Sequence, residues 1–460
     1  MEISNALEGL NKQKAFFESG ATKPHAFRIA QLKKLLKALS DFENEILAAL
    51  KADLNKHEME AYASEIGFLK LEIKHTLKNL AEWMETEYVP TPIFHWPASS
   101  FIQKDPLGVV LIIGPWNYPF MLLIGPLISV LAAGNCACIK PSNQAPNTAE
   151  VTEKIIRSIF PEELVSVVQG TGALVGPELI QKFRFDHIFF TGSVEVGKQI
   201  MHMAADELVP VTLELGGKSP CVVDENVHIK IAAKRVVWSK FWNAGQTCVG
   251  PDYLLINENI ADNFIIELVN EIKVLFGNNP QESESYGRII NDKRFEKLLT
   301  YLNEGKIIAG GEREKSTLYI APTLVESLQD TSAVMQEEIF GPILPIFRYK
   351  TNEEALSLIK KHPFPLSFYL YTKSKKTKKF FLQNLQFGGG GINIALGHLA
   401  NPDLPFGGVG YSGMGSYHGK YGFDTFTHRK SMMKTPFFPD VFIRYQPFKN
   451  KLKWVKWFMG

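Results

Sequence analysis

The sequence predicts an α/β protein with a parallel β-sheet at its core. Short apolar segments alternate with segments of helical hydrophobic period from about residue 107 to 190, and a second alternating stretch runs from about 220 to 394. Alternation of this kind is typical of βαβ units, in which helices cover both faces of a parallel sheet. The first strand candidate, residues 107–113, is apolar throughout, as expected for a strand buried on both faces.

The individual elements follow in order along the chain. Apolar residues at helical spacing among charges predict two N-terminal helices, at residues 26–50 and 61–84. In the first alternating region, strands are expected at 107–113, 136–139, 164–168, 187–190 and 209–215, and helices at 122–133, 149–159 and 174–182. Gly134, directly after the first of these helices, is a typical helix stop.

Composition and charge narrow the function classes. Lys and Arg number 50 against 48 Asp and Glu, and the formal net charge of +2 gives no reason to expect a nucleic-acid partner. Four cysteines are too few for a disulfide framework, and their spacing fits no zinc motif. Cys136 and Cys138 lie in an apolar run and are expected in the core. The polar residues 1–22 lack the apolar core of a signal peptide, so we expect a cytoplasmic protein.

One segment resembles a membrane span in hydropathy. No charged residue lies between Asp105 and Lys140, and about 20 apolar residues suffice to cross a bilayer. However, Pro115, Pro119 and Pro126 interrupt the segment, and proline breaks a continuous helix. We therefore expect a buried strand, a turn, a helix and a second strand, and no transmembrane helix.

A glycine-containing loop follows the strand predicted at 187–190. Residues 191–198 read Thr-Gly-Ser-Val-Glu-Val-Gly-Lys and lead into a helix, whose N-terminal N–H groups suit a phosphate. The loop lacks the G-x-G-x-x-G fingerprint. It nearly matches a nucleotide-triphosphate loop, but Gln199 replaces the Ser or Thr that holds Mg²⁺, which argues against an ATPase. By itself the motif fits a plain strand-to-helix turn equally well.

Two further motifs contain reactive residue types. Cys248 lies between Gln246-Thr247 and Val249, so it is less clearly a core residue than the other cysteines. It fits either an inert thiol or a nucleophile with a stabilised thiolate. Glu214 ends an apolar strand beside Gly216 and Gly217 and fits either a solvated acid or a general base in a cleft.

Together the motifs resemble the motif series of the aldehyde dehydrogenase superfamily. In chain order they are Pro115-Trp116-Asn117-Tyr118-Pro119, the glycine loop, Glu214-Leu215-Gly216-Gly217, Gly245-Gln246-Thr247-Cys248 and Glu337-Glu338-Ile339-Phe340-Gly341-Pro342. The glycine-rich segment 404–415 with the following Ser-Tyr-His-Gly resembles the class 3 branch, which acts on fatty and aromatic aldehydes. The resemblance extends from the N-terminal helices to about Met433.

The resemblance implies NAD(P)-dependent oxidation of an aldehyde to a carboxylate. Cys248 would be the nucleophile and would carry first a thiohemiacetal and then a thioester. The side-chain amide of Asn117 and the backbone N–H of Cys248 would donate to the oxyanion. Glu214 would activate the water that hydrolyses the thioester. No metal is expected.

The resemblance also implies a cofactor site for NAD, NADP or both. Gly192, Ser193 and Gly197 match the pyrophosphate loop, Lys140 matches an adenosine-ribose lysine, and Glu338 and Phe340 match contacts to the nicotinamide ribose and ring. Many NAD-preferring members have glutamate after the Lys-Pro-Ser motif, where this chain has Asn143. A carboxylate there would repel a 2′-phosphate, so its absence argues against strict NAD preference.

The implied architecture has three parts and forms a homodimer. We expect a Rossmann-like NAD(P)-binding domain at 1–84 and 105–213, an α/β catalytic domain at 214–422, and a small bridging element for oligomerisation at 85–104 and 423–445. The remaining tail, 446–460, is basic and aromatic. From Lys430 onward the chain has seven basic residues and one acid, Asp440, with aromatic residues at 437, 438, 442, 454, 457 and 458. This composition fits peripheral contact with a membrane and, more readily, packing on the partner subunit.

Two other function classes remain to be separated. A coenzyme A-acylating aldehyde dehydrogenase would use a thiol in place of water, but that branch usually lacks the glutamate that matches Glu214. A structural protein that kept the fold and lost activity would be expected to have lost Cys248, Glu214 or Asn117, and all three are present. The sequence therefore favours the hydrolytic enzyme.

Overall fold

The computed structural model describes residues 3–329 and 331–459. The predicted units include four residues that lie outside the described ones, namely Met1, Glu2, Asp330 and Gly460. The side chain of Phe458, in the tail, also lies outside the description. The α-helices are α1 Ile3–Glu18, α2 His25–Asp41, α3 Glu43–Leu54, α4 Glu58–Ala61, α5 Gly67–Met84, α6 Met121–Ala133, α7 Pro146–Ile159, α8 Gly172–Lys182, α9 Val194–Ala205, α10 Ile229–Phe241, α11 Ala261–Phe276, α12 Asp292–Tyr301, α13 Ala333–Gln336, α14 Asn352–Lys360, α15 Lys375–Asn384, α16 Gly419–Thr425 and α17 Leu452–Met459.

The strands form two large, mostly parallel sheets and two small antiparallel ones. They are β1 Glu87–Val89, β2 Ser99–Pro106, β3 Val109–Ile113, β4 Cys136–Lys140, β5 Val165–Val167, β6 His187–Thr191, β7 Val211–Glu214, β8 Pro220–Val223, β9 Tyr253–Asn257, β10 Lys306–Ala309, β11 Arg313–Glu314, β12 Tyr319–Ile320, β13 Thr323–Glu326, β14 Ile343–Tyr349, β15 Ser367–Tyr371, β16 Gly389–Ile392, β17 Gly413–Met414 and β18 Thr427–Lys434. The α/β class expected from the alternating pattern is confirmed.

The first large sheet has the order β17-β7-β6-β3-β4-β5. Strands β3 to β7 are parallel, and β17 pairs antiparallel with β7 at one edge. Every residue of β3, β4 and β6 is buried, because helices cover both faces and the strands are apolar. Cys136 and Cys138 on β4 are fully buried, so their expected place in the core is confirmed.

The second large sheet has the order β10-β13-β14-β9-β8-β15-β16 and its own hydrophobic core. Its pairs are parallel except at the β10 edge. A separate antiparallel sheet, β1-β2-β18, is formed by segments far apart in sequence, with β18 paired along all eight of its residues to β2. Most side chains of β18 are exposed.

The prediction of a single helix at residues 26–50 is wrong. The helix is interrupted at Phe42, which has φ −105° and ψ 12°, and the chain continues as α3. Leu35 and Leu39 before the break and Ile46 and Leu50 after it are fully buried, so the two helices bend to pack on one core. The apolar spacing continues across the break, and periodicity alone therefore did not reveal it.

The charge-free segment forms a buried strand and a buried helix, as expected. All 13 residues of α6 are buried. The helix ends at Gly134, whose φ of 86° favours glycine, and a Cβ there would lie 2.6 Å from the Arg28 guanidinium carbon. Among the described residues, none of the helices combines the length and the apolar character needed to cross a bilayer.

Candidate active site

Four of the predicted site positions follow directly from the topology of the first sheet. Asn117 comes four residues after β3, Lys140 ends β4, Gly192 follows β6, and Glu214 ends β7. Since these strands are parallel neighbours, their carboxyl ends meet at one edge of the sheet. Ligands of open α/β sheets bind at this edge, so the topology gathers candidate cofactor and catalytic groups in one crevice.

Cys248 reaches this edge from a strained turn after α10. Asn243, Ala244 and Gly245 have φ values of 53°, 49° and 75°, so three consecutive residues are left-handed. Such a conformation costs about 1–2 kcal/mol for each non-glycine residue. At Gly245 a Cβ would lie 2.2 Å from the Gly341 carbonyl oxygen, so only glycine fits. Strain of this kind is concentrated at functional sites.

Hydrogen bonds join the Asn117 loop to the Cys248 loop. The Asn117 Nδ2 donates to the Gln246 carbonyl at 3.0 Å, and the Asn243 Nδ2 donates to the Asn117 carbonyl at 2.9 Å. The Tyr118 hydroxyl lies 2.6 Å from the Thr247 Oγ1. The structure thus places Asn117, which is buried, beside the residues that directly precede Cys248.

The Cys248 thiol is partly buried and surrounded by acids. Burial, followed by the nearby carboxylates of Glu338 and Glu214, raises the pKa of Cys248 to about 12. The thiol is therefore protonated near neutral pH in this arrangement. Nucleophilic attack requires a base or a positive charge close to the sulfur.

Glu214 is a buried carboxyl group whose oxygens have no hydrogen-bond partner among the described residues. Burial raises its pKa well above the ordinary value. Its backbone is fixed by β-pairing with Thr191 on one side and Gly413 on the other. An unpaired carboxyl group with a raised pKa can exchange protons near neutral pH, which is what general base catalysis requires.

Glu338 packs directly against the loop that follows Glu214. A Cβ on Gly216 would lie 1.9 Å from the Glu338 Oε2, so glycine is required there for the close approach. Burial, followed by the charge of Asp252, raises the pKa of Glu338 to about 8. The ring of Phe340 stands edge-on to Trp116 at 5.2 Å between centroids, which connects this segment with the Asn117 loop.

Three side chains that hold these loops, Lys218, Gln246 and Asp252, have no role predicted from the sequence. Lys218 donates to Asp252 at 2.5 Å and to the Glu337 carbonyl at 3.1 Å, while Asp252 accepts the Ile339 N–H at 3.0 Å. The side chain of Gln246 donates to the Arg288 carbonyl at 2.9 Å and accepts the N–H of residue 290 at 3.0 Å. Gln246 is part of a quoted motif, and Lys218 and Asp252 lie one and four residues beyond one, which is the signal that the sequence offered.

The predicted phosphate loop has the shape of a cofactor cradle. Ser193 is exposed and caps α9 by accepting the Val196 N–H at 3.4 Å. A Cβ on Gly197 would lie 2.7 Å from a Leu215 methyl group, so glycine lets α9 approach β7. Lys140 is buried with one hydrogen bond, to the Pro141 carbonyl, and burial lowers its pKa. The exposed start of α9 fits the diphosphate of a dinucleotide, and Lys140, at the carboxyl end of β4 in the same sheet, fits its ribose.

Comparison with known proteins identifies the family. Residues 5–432 match the model of the aldehyde dehydrogenase family. The chain belongs to this family. The resemblance that the motifs suggested is thereby confirmed, and the protein is an NAD(P)-dependent oxidoreductase that acts on aldehydes.

Several aldehyde dehydrogenases are similar over nearly the whole chain. A Staphylococcus aureus 4,4'-diaponeurosporen-aldehyde dehydrogenase is 47% identical, with 97% of each chain covered. Aldehyde dehydrogenase family 3 member A2 of Macaca fascicularis is 42% identical, covering 96% of this chain and 92% of the relative. The dimeric NADP-preferring aldehyde dehydrogenase of Canis lupus familiaris is 41% identical, with 98% and 99% covered. A substrate-bound structure of Staphylococcus aureus AldH superposes with a TM-score of 0.97, at 46% identity and 99% coverage of both chains.

Proposed function

We propose that this enzyme oxidises a medium- or long-chain aliphatic or aromatic aldehyde to its carboxylate through covalent intermediates on Cys248. The observation that carries the proposal is one juxtaposition. The loop of Cys248 is hydrogen-bonded to Asn117, and the unpaired carboxyl group of Glu214 is close enough to raise the pKa of the thiol. A nucleophile, an amide donor and a base therefore converge at one sheet edge.

In the first half of the reaction Cys248 gives its proton to water and attacks the aldehyde carbon as the thiolate, so that the sulfur–carbon bond forms and the carbonyl oxygen becomes an oxyanion. Asn117 Nδ2 uses one hydrogen for the Gln246 carbonyl, which leaves its second hydrogen for the oxyanion, together with the Cys248 N–H. Loss of one such donor typically costs about 3–4 kcal/mol. Bound NAD or NADP, held at its nicotinamide end by Glu338 and Phe340, would supply the hydride acceptor for this oxidation, and Cys248 would keep the acyl group as a thioester.

In the second half of the reaction water hydrolyses the thioester. Glu214 removes a proton from the attacking water, the new oxygen–carbon bond forms, and the Cys248 sulfur leaves as the carbon–sulfur bond breaks. The buried position of Glu214 suits this step, because its raised pKa makes the carboxylate a stronger base than an exposed one.

The cofactor residues are proposed on the same basis. Gly192, Ser193 and Gly197 would hold the pyrophosphate at the start of α9, Lys140 would bind the adenosine ribose, and Glu338 and Phe340 would bind the nicotinamide side. Asn143, next to Ser142, is exposed, so the position of the missing carboxylate is open to a 2′-phosphate. One relative is named as NADP-preferring, which agrees with use of both cofactors.

We expect reduced-cofactor absorbance to rise with both NAD and NADP across a chain-length series of aldehydes. Asn143→Glu should weaken use of NADP selectively, because a carboxylate repels the 2′-phosphate and can accept from the ribose hydroxyls. The kcat/KM for each cofactor measures the effect, with Gln144→Glu on the adjacent exposed residue as the matched control. Equal losses for NAD and NADP would contradict the assignment of Asn143, and absence of turnover with every aldehyde would contradict the proposed function.

Domain organisation and oligomeric state are part of the proposal. We assign NAD(P) binding to residues 1–84 and 105–213, catalysis to 214–422, and bridging to 85–104 and 423–445, which together contain β1, β18 and most of β2. Strand β18 lies at the edge of its sheet, and its residues Met432 and Met433 are exposed. Sheet edges with unpaired backbone groups are usually covered in native proteins. The canine relative is named as a dimeric enzyme. We therefore infer a homodimer, in the cytoplasm, where the free thiol of Cys248 stays reduced.

The C-terminal tail is proposed to contact membranes peripherally. Phe437, Phe438 and Trp457 are 93%, 86% and 74% exposed. The Arg444 side chain donates to the Trp96 carbonyl at 3.0 Å and so holds the tail on the protein, while these three aromatic side chains remain exposed to solvent. Exposed aromatic side chains among basic residues suit the interface of an anionic membrane, from which an apolar aldehyde could be taken up.

Truncation after Phe448 should weaken binding to anionic liposomes. The truncation removes Lys449, Lys451, Lys453 and Lys456, and each basic residue near such a surface contributes about 1 kcal/mol. Co-sedimentation with phosphatidylserine-containing vesicles measures the change, and neutral phosphatidylcholine vesicles are the control. Unchanged sedimentation together with a weaker dimer in ultracentrifugation would show that the tail packs on the partner subunit.

A further inference from the structure

Three charged side chains lie buried beneath the loops that carry Asn117 and Cys248. Lys56, Glu60 and Glu65 are 1%, 7% and 0% exposed. They come from the loop that follows α3, the short helix α4 and the π-helical turn Tyr62–Ile66. The proposed chemistry uses none of them, and buried charges are costly unless they have a partner.

Lys56 and Glu65 fix the Asn117 loop. Lys56 donates to Glu65 at 2.5 Å and to the Asn117 carbonyl at 2.9 Å. The other oxygen of Glu65 accepts the N–H groups of Phe120 and Met121, at 2.9 and 3.2 Å, where α6 begins. The Lys56–Glu65 pair thus holds the loop between β3 and α6 in one position.

Glu60 extends this network to the nucleophile loop. Its Oε1 accepts the N–H of Asn243 at 2.7 Å, at the first of the three left-handed residues. The Asn243 side chain then donates to the carbonyls of Asn117 at 2.9 Å and Gln246 at 3.2 Å. The Glu60 carboxyl group is therefore connected through Asn243 to both the Asn117 loop and the Cys248 loop.

A carboxylate suits this place better than an apolar side chain. Burial raises the pKa of Glu60 to about 7, while Lys56 and the Asn243 N–H oppose the rise. A side-chain oxygen at this place satisfies the buried Asn243 N–H, which would otherwise be left without an acceptor. The turn at Asn243 has an unfavourable backbone conformation and needs such an anchor to persist.

We propose that Glu60 is a positioning residue for aldehyde oxidation. By accepting the Asn243 N–H, it keeps the strained turn in place, so that the Asn117 amide and the Cys248 N–H converge on one oxyanion. The inference rests on the proposed roles of Asn117 and Cys248. It predicts that Glu60 affects the step at which the aldehyde carbon reacts and leaves cofactor binding unchanged.

Single-turnover kinetics on the full-length enzyme test the inference. Enzyme in excess over hexanal, saturated with NAD, is mixed rapidly, and the rate constant for formation of reduced cofactor is recorded. We expect Glu60→Ala to lower this rate constant about 100-fold, since a displacement of about 1 Å has an effect of that size. Glu60→Asp should be similarly slow, because the shorter side chain withdraws the acceptor while keeping the charge. Glu60→Gln should recover most of the rate, because its amide oxygen can accept the same N–H.

The control is Glu58→Ala, which removes an exposed glutamate from the same short helix and should leave the rate constant unchanged. The rate constant is read at saturating enzyme, where it does not depend on the concentration of folded protein, and circular dichroism reports the folded fraction separately. If Glu60→Ala does not fold, the Gln and Asp variants decide. An unaltered rate constant in Glu60→Ala or Glu60→Asp, or a Gln variant as slow as Asp, would overturn the proposal. Failure of the unmutated enzyme to reduce either NAD or NADP with every aldehyde of the chain-length series would instead refute the proposed function.

Discussion

Replacing Cys248 with alanine is expected to abolish aldehyde oxidation while the protein remains folded and still binds its cofactor. Without the sulfur neither the thiohemiacetal nor the thioester can form. Removal of the nucleophile from a covalent mechanism lowers kcat by about 10⁶-fold in a well-studied hydrolase, and we expect a loss on the order of 10⁴-fold or more. Reduced-cofactor absorbance measures turnover, and quenching of protein fluorescence measures cofactor binding.

Cys221→Ala provides the matched control for the nucleophile. Cys221 is fully buried on β8, and burial raises its pKa, so it behaves as a small core side chain. We expect this substitution to lower the free energy of unfolding slightly and to leave kcat unchanged. Substantial aldehyde oxidation by folded Cys248→Ala protein would refute the assignment of the nucleophile.

Replacement of Glu214 by glutamine should separate the two halves of the reaction. Glutamine keeps the size of the side chain but cannot accept the proton of water. Loss of a general base usually lowers the rate about 10²–10⁴-fold, and here the loss should fall on thioester hydrolysis alone. The variant should release close to one equivalent of reduced cofactor per site in a rapid burst, followed by slow turnover. Intact-protein mass spectrometry should find the acyl group on Cys248.

The same variant distinguishes the hydrolytic enzyme from an acylating one. Coenzyme A should rescue turnover only weakly if water is the natural acceptor of the acyl group. Efficient coenzyme A-dependent turnover by the unmutated enzyme would assign it to the acylating class. A Glu214→Gln enzyme with neither burst nor acyl adduct would place Glu214 before the thioester, as the group that deprotonates Cys248.

Linear patterns predicted the sheet and the positions of the motifs because both depend on local chemistry. The apolar strand and the acid at its end identified Glu214, and parallel topology then accounts for its place beside Lys140 and Gly192. The pairing of its backbone with β17 was not predictable, since that strand comes about 200 residues later in the chain.

Other features depend on contacts that periodicity does not record. The break at Phe42 lies within continuous helical spacing, and Ala244 has a left-handed conformation that local preferences disfavour. Glu60 stands among charged residues of a helix and gives no sign in the sequence that it is buried. Its partner, Asn243, is 183 residues away, so only the folded chain brings the two together.

Cys248 lies on a seam between two hydrophobic cores. Its side chain packs against the core of the first sheet, whereas Ala244, four residues earlier, belongs to the core of the second. Glu214 ends β7 of the first sheet, and β8 of the second sheet begins six residues later. Catalytic alignment is therefore a property of how the two cores fit together, and neither core alone determines it. Substitutions that change how the two cores pack together can abolish activity without unfolding the enzyme. Activity is therefore a more sensitive measure of that packing than the melting temperature.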